Sequence, residues 1–390
     1  MKKILIIEPK ISHWTTVEPL IVCFLKKGWK VEVLIPESFI SIFNYYSKLH
    51  HIDKYLNNLT LNKFTEFNLL LILLRPRPDI SIIANRLFYE KPLKISFLNN
   101  LKIILLLTFR SIIKLLLIKY RFNKSYFIIT THFVDFYKLP ENIFFANSNN
   151  LYTLLNYVWN KSRENNDGIN VYSSLVKEYI EEEDNKKVFV APNAIYRYSN
   201  KINKINKNKF SIIIPGRIDI RRRYYEWIDK LDSNWIDKID IKFIGKAQSD
   251  HDLEIVKKLD KKGFNQYVKR TNQFIDFDEF DLYLETADLL FVPLVKLDNK
   301  KRGIDRNLGA FFDSVRYGKP LIIPDSVPVA AELADNILTY KNDDHLFAMI
   351  EKIISDLKYF DSISSKAIDN SMNWAPNNIT YPNDLIEQLN

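Results

Sequence analysis

The chain has 390 residues, 47% hydrophobic and 26% charged, enough apolar material for two globular domains of roughly 200 residues each. A single cysteine, Cys23, excludes an intrachain disulfide, suits a reducing compartment, and sits in an apolar run as a small buried residue would. The net charge of +9 is uneven: residues 1–130 hold 20 Lys and Arg against 8 Asp and Glu, a balance of +12, and the remainder is −3. The front third therefore asks for an anionic partner.

Lys3 to Ile7 reads as a strand that begins directly, without a secretory leader, so a cytoplasmic protein is expected. The loop EPKISHWTT follows, then a helical run from Val17 to Lys27 stopped by Gly28, then a strand from Trp29 to Ile35. This is a βαβ unit, the start of a doubly wound sheet. The loop lacks the glycines of a dinucleotide fingerprint, which argues against a nicotinamide site. Residues 37–77 are mixed, and Asp79 to Ala84 forms the next strand.

Lys91 to Lys124 is strongly apolar, carries six spaced basic residues after Lys91 up to Arg121, and holds no acid. Its apolar runs are too short to span a bilayer. It reads either as a buried helix with basic residues at its rim or as a surface helix on an anionic membrane; the basic front third favours the membrane. The stretch is aliphatic rather than an aromatic-interleaved module, which argues against nucleic acid. Ser125 to Phe133 is a strand ending at His132, with Asp135 close behind, where ligands bind in doubly wound domains. Phe144 and Phe145 mark a short strand, Val176 to Glu183 a helix, and Val188 to Ile195 another strand.

Tyr196 to Lys209 is polar and basic and reads as a linker. The pattern then restarts: a strand at Phe210 to Arg217, a helix near Tyr224 to Leu231, a strand at Ile239 to Gly245, and a helix at Asp252 to Lys261. A short strand at Gln266 to Lys269, a helix at Phe277 to Thr286, a strand at Asn336 to Tyr340 and helices at Asp343 to Leu357 and Asp384 to Leu389 complete a second doubly wound domain and its tail.

Inside this second domain, GIDRNLGAFFDSVRYGKP (Gly303 to Pro320) lies between two unbroken apolar runs, Ala287 to Val295 and Leu321 to Pro324, expected as buried parallel strands. Asn307 to Gly309 opens a helix that Gly318 and Pro320 close. Asp305 falls in the loop before it and Asp313 a little over a turn inside. The amino end of such a helix, at the carboxyl end of a strand, is an anion site. Asp305 as a cap and Asp313 as a solvated acid is the competing reading.

PGRIDIRRRYYEW, KFIGKA, ADLLFVPL with DRNLGAFFDSVRYGKPLI, VFVAPNAI and VYSS together, in this order, resemble the GT-B glycosyltransferases, and more narrowly the retaining family-4-type enzymes of polysaccharide and glycolipid synthesis. The resemblance implies two Rossmann-like α/β domains facing a cleft: residues 1–195 for the acceptor, a linker at 196–209, residues 210–371 for the nucleotide sugar, and a tail, 372–390, packed back on the first. It implies that Gly216, Arg217, Arg222 and Gly245 meet the donor. The amides of Leu308, Gly309 and Ala310 bind its distal phosphate, Asp313 its ribose and Asp305 its sugar. His132 sits over the transferred sugar, and His13, Trp14 and Asp135 are candidates for the acceptor. Asp stands at both acidic positions where the family has Glu, the first loop lacks the family's Gly-Gly, and Arg223 stands where it has Gly.

The expected activity is transfer from a nucleotide diphosphate sugar to a lipid-linked or growing glycan, with retention, on the cytoplasmic face of a membrane. No cofactor and no metal are expected, since the arginines serve the diphosphate and no dense ligand cluster appears. An inverting transferase with Asp135, His132 or His13 as base, a sugar-nucleotide epimerase, and a non-catalytic glycan-binding partner remain alternatives, as does a solvated basic face at Arg217, Arg222 and Arg223.

Overall fold

The computed structural model describes residues 2–7, 14–35, 53–63, 80–83, 126–130, 168–181, 187–197, 209–218, 225–247, 249–264, 277–294 and 309–389, with single positions 37, 40, 43 and 275. The chain divides into two compact units, Met1–Asn193 with Ile379–Asn390, and Ala194–Asn378. The strand expected at Gln266 to Lys269, that at Phe144 and Phe145, and the basic stretch Lys91 to Lys124 lie outside the described residues. Among the described residues, no helix is long and apolar enough to cross a membrane.

Among the described residues, the first unit has seven parallel strands: β1 (Lys3–Ile7), β2 (Lys30–Ile35), β3 (Leu59–Lys63), β4 (Ile80–Ile83), β5 (Tyr126–Thr130), β6 (Gly168–Val171) and β7 (Val188–Val190). They lie in the order β3-β2-β1-β4-β5-β6-β7, the doubly wound arrangement that reverses between β1 and β4. Helix α1 (Trp14–Lys26) stops as its sequence suggests. The Gly28 amide donates to Leu25 at 2.9 Å and the Trp29 amide to Phe24 at 3.0 Å, a Schellman closure. The Phe24 and Trp29 rings complete it edge to face at 5.2 Å. Cys23 is buried among α1's apolar residues, and burial pushes its thiol far above the usual range, so it is an inert core residue. Helix α2 (Ser174–Glu181) follows β6. The last helix of the chain, Tyr381–Leu389, belongs to this unit, and the Tyr381 hydroxyl donates to Asn170 Oδ1 on β6 at 2.8 Å.

In the second unit, β8 (Phe210–Ile214), β9 (Ile239–Phe243), β10 (Leu289–Phe291), β11 (Leu321–Pro324) and β12 (Ile337–Tyr340) form a parallel sheet in the order β12-β11-β10-β8-β9. Its order reverses between β8 and β10. Central strands β10 and β11 are unbroken apolar runs, β8 (FSIII) is interrupted only by Ser211, and edge strand β9 (IDIKF) alternates buried and half-buried positions as an edge should. Helices α3 (Asp250–Lys261), α4 (Phe277–Thr286), α5 (Gly309–Tyr317), α6 (Asp343–Ser355) and α7 (Leu357–Met372) cover it; the final helix, Tyr381–Leu389, is α8.

Side-chain caps set several boundaries. Ser249 accepts from the Asp252 amide at 3.2 Å to open α3, and Asn342 accepts from His345 at 2.9 Å to open α6. Asp356 accepts from Tyr359 at 3.0 Å, so α6 ends at Ser355 and a separate α7 begins where the sequence reading extended one helix to Leu357. The helix expected near Tyr224 to Leu231 is instead a pair of 3-10 turns, Glu226–Ile228 and Ser233–Trp235. Asp232 accepts from the Asn234 amide at 2.8 Å and restarts the chain, and this lets Trp227, Ile228, Leu231 and Trp235 all enter the core.

Candidate functional site

Topology offers a candidate place for a site before any side chain is considered. In an open parallel sheet, ligands gather beyond the carboxyl ends of the strands where the order reverses. In the second unit that point lies between β8 and β10, and the residues directly beyond β8 are Pro215, Gly216 and Arg217.

The turn carrying Arg217 is tied to the neighbouring strand end. Ile218 pairs with Ala247 in an isolated parallel bridge, the Ile218 amide donates to Lys246 at 3.1 Å, and the Ile244 amide donates to Ile214 at 3.2 Å. Between these ties the two backbones touch. A Cβ on Gly245 would lie 1.7 Å from the Gly216 carbonyl oxygen, so only glycine fits at 245. Arg217 is thus an exposed cation on a turn whose flanks are buried and bonded.

Helix α5 supplies the second component. It connects β10 to β11, which are parallel, so its amino end lies at the same carboxyl edge of the sheet. Among the described residues, the first turn of α5 holds no acid and the last holds Arg316, so the helix brings no counter-charge of its own to the positive end of its dipole. Gly309 is exposed, and a methyl group there would meet nothing within 4 Å, so packing does not demand glycine. The other end is firmly closed. The Lys319 amide donates to Ser314 at 2.9 Å and the Gly318 amide to Val315 at 3.3 Å, with Gly318 at φ 61°. A side chain at 318 would also press on the Tyr196 ring.

Asp313 lies one turn inside α5 and is 14% exposed; one of its oxygens is 3.1 Å from Arg316 Nη1. Burial pushes its carboxyl up from 3.8 to about 6, against the pull of Arg316 and Arg197 and with a push from Asp281. It is not the solvated acid of the competing reading. Among the described residues, Arg316 is its side-chain hydrogen-bond partner.

Of the residues expected in the site, Gly216, Arg217, Gly245, Gly309, Ala310 and Asp313 are described, all in the second unit at or near one edge of its sheet. Arg222, Asp305, Leu308, His13, His132 and Asp135 lie outside the described residues, and of Trp14 only the backbone is described, at the start of α1. Arg316 was missed by sequence reasoning, although its spacing of three from Asp313 on one helix is a legible pairing signal. Arg197 and Asp281 were missed as well. Tyr196 and Arg197, which read as linker, are held by the second unit: their backbone amides donate hydrogen bonds to the carbonyls of Trp374 (3.1 Å) and Arg316 (2.9 Å).

No protein-family model matches the chain, and no curated protein matches it. Among solved structures, HepE of Anabaena in complex with UDP and glucose is similar over 100% of this chain and 99% of its own, with TM-score 0.59 at 13% identity. An α,α-trehalose-phosphate synthase (UDP-forming) from Burkholderia vietnamiensis covers 100% and 99%, with TM-score 0.53 at 9% identity. A putative UDP-N-acetylglucosamine 2-epimerase from Listeria monocytogenes covers 94% and 91%, with TM-score 0.52 at 12% identity. At these identities the likeness speaks for architecture, and with two parallel α/β sheets in the chain it leads to one conclusion: the protein has the GT-B fold.

Proposed function

We propose that this chain is a glycosyltransferase that moves a sugar from a nucleoside diphosphate donor to a lipid-linked or growing glycan acceptor, with retention of anomeric configuration. The carrying observation is the convergence at one sheet edge of the Gly216–Arg217 turn, packed against Gly245, and the amino end of α5 with Asp313 one turn inside. UDP is the first nucleotide to test, because HepE, of the same fold, was solved with UDP and glucose.

In this reading Arg217, with Arg222, binds the diphosphate, and the amides of Leu308, Gly309 and Ala310 take its distal phosphate. Asp313 accepts from the ribose hydroxyls and Asp305 from hydroxyls of the sugar. His132 covers the reacting sugar, and His13, Trp14 and Asp135 serve the acceptor. The bond from the sugar's anomeric carbon to the phosphate oxygen breaks, and a bond to the acceptor oxygen forms on the same face. The acceptor's proton passes to the departing phosphate. Positive charge fixed in advance around that leaving group does most of the catalysis, and arginine and helix amides supply it in place of a metal ion.

Arg217→Ala tests the phosphate assignment. Arg217 is exposed, so the variant should fold normally. Loss of a charge-assisted contact of about 1.5–3 kcal/mol should weaken UDP binding roughly 10- to 100-fold by calorimetry. Unchanged affinity would remove Arg217 from the site. In a thermal-shift screen of sugar nucleotides, the true donor should raise the unfolding temperature by mass action. Conversion of that donor with no acceptor present would mark an epimerase, the activity suggested for the Listeria protein of the same fold.

The acceptor side is proposed to work at a membrane. The acid-free, basic and apolar stretch 91–124 should bring the protein to anionic vesicles at low salt and release it as salt screens the charges. Co-sedimentation that is equal for anionic and zwitterionic vesicles would end this part of the proposal, and with it a place on the cytoplasmic face.

A further inference from the structure

The second unit buries a group of charges that donor binding does not itself employ. Arg197 Nη1 lies 2.5 Å from Asp281 Oδ2 on α4 and 2.7 Å from the Tyr317 hydroxyl on α5. Tyr317 in turn donates to the other oxygen of Asp281. The Arg197 and Asp281 side chains are 10% and 12% exposed. The guanidinium also lies over the Tyr317 ring, 5.4 Å from its centroid, and the Arg197 amide donates to the Arg316 carbonyl at 2.9 Å. One residue from outside the helix therefore grips the last two residues of α5 through backbone, hydroxyl and ring together.

Arg316 connects this grip to the site. It is 3% exposed, and its Nε and Nη2 are buried without hydrogen-bond partners. Asp313, one turn back, is its one ion-pair partner among the described residues. Among the described residues, the charges acting on Asp313 come from Arg316 on its own helix, Asp281 on α4 and Arg197 on the incoming connection. The 331–336 turn and α7 also pack on α5 and bring none of them.

We propose that Arg197 and Asp281 are positioning residues for Asp313: through Tyr317 and Arg316 they fix the end of α5 and set the charge its carboxylate carries. The inference rests on the reading of Asp313 as the ribose acceptor. Its consequence is a pair of effects with opposite sign. Arg197 favours the Asp313 carboxylate and Asp281 disfavours it, yet removing either breaks the same buried bond. A merely structural role would make the two variants alike.

The test uses the full chain labelled at aspartate 13Cγ, with the Asp313 signal assigned from Asp313→Asn. Its titration is followed in wild type, Arg197→Met, Asp281→Asn and Arg197→Lys. Arg197→Met should move the Asp313 midpoint to higher pH and Asp281→Asn should move it to lower pH. Arg197→Lys keeps the charge and should stay near wild type, although it cannot span both Asp281 and Tyr317. UDP affinity, measured by calorimetry across the same range, should follow the midpoints, since the ligand's own titration is common to all four proteins. Should Arg197→Met fail to fold, Asp281→Asn decides alone, and a midpoint that rises or stays put in it overturns the proposal. Midpoints that move together overturn it too, whatever UDP does. Midpoints that split as expected, with no UDP bound by the wild type, overturn the donor reading instead.

Discussion

Asp313→Ala is expected to cost the second unit about 3–5 kcal/mol, because it strands the Arg316 guanidinium inside the protein without its counter-charge. Denaturant unfolding should register this directly, and the unfolding temperature should fall by on the order of 10 °C. The size of the effect does not mean that the ion pair is a strong stabiliser. Burial outweighs the attraction of Arg316, and the carboxyl is pushed up to about 6 from an unfolded value of 3.8. Protonation of Asp313 thus favours the folded state: that contribution is fully present below 3.8 and is lost as pH rises through about 6. At neutral pH the pair is held at a desolvation cost, and removing one partner leaves that cost uncompensated. Removing both should be far milder. Asp313→Ala combined with Arg316→Met is expected to recover most of the lost stability while leaving UDP binding abolished. If the double variant is as unstable as the single one, the uncompensated charge is not the cause. If it also binds UDP normally, Asp313 has no part in the donor site.

Why would a protein keep such a pair? The cluster of Arg197, Asp281, Tyr317, Arg316 and Asp313 is positioned at the helix whose amino end is the proposed phosphate site, and buried polar groups tolerated at a stability cost concentrate where function needs them. The same cluster shows where reading the chain succeeds and where it stops. Strands β10 and β11 were legible because each is an unbroken apolar run between turn residues, β8 because its apolar run is interrupted only by Ser211, and α5 because glycine stands at both ends. Strands β3 (LTLNK) and β6 (GINV) are too polar or too short to stand out, and their pairing comes from neighbours in the sheet. Helix α7 went unread because Ser, Asn and Asp dominate it. Its buried face is Ile363, Ala367 and Ser371, held partly by the Ser371 hydroxyl donating to Ala367 at 2.6 Å. Arg197 sits in a stretch of Lys, Arg and Asn that composition assigns to solvent, and its partner Asp281 is 84 residues away. Local charge pattern carries no information about a tertiary partner at that distance. The glycines of the proposed site are the opposite case: in a chain with only eight, Gly216, Gly245 and Gly309 stand out, and geometry explains the first two, Gly216 by its φ of 84° and Gly245 by its contact with the Gly216 carbonyl.

Gly245→Ala provides the sharpest test of that geometry. The added methyl would stand 1.7 Å from the Gly216 carbonyl oxygen and 2.4 Å from its carbon, inside any permissible contact and against backbone rather than a movable side chain. Neither segment can shift alone. The Arg217 turn is tied to the Lys246 side by the Ile218 amide and the Ile218–Ala247 bridge, and β8 pairs with β9 along its whole length up to that point. Relief requires the two strand ends to part, at a cost of at least the about 1–3 kcal/mol typical of overpacking, since backbone pairing is lost as well. Parting them also moves Arg217, and if Arg217 holds the diphosphate as proposed, its displacement by about 1 Å is enough to cost on the order of 100-fold in catalysis. The expected result is therefore joint: lower stability and a loss of UDP affinity at least as large as that of Arg217→Ala. Gly309→Ala is the control, because its methyl would meet nothing within 4 Å, and it should leave stability unchanged or slightly raised. A Gly245→Ala protein that folds with normal stability and binds UDP as the wild type does would show that the contact between the two strand ends does not position the site.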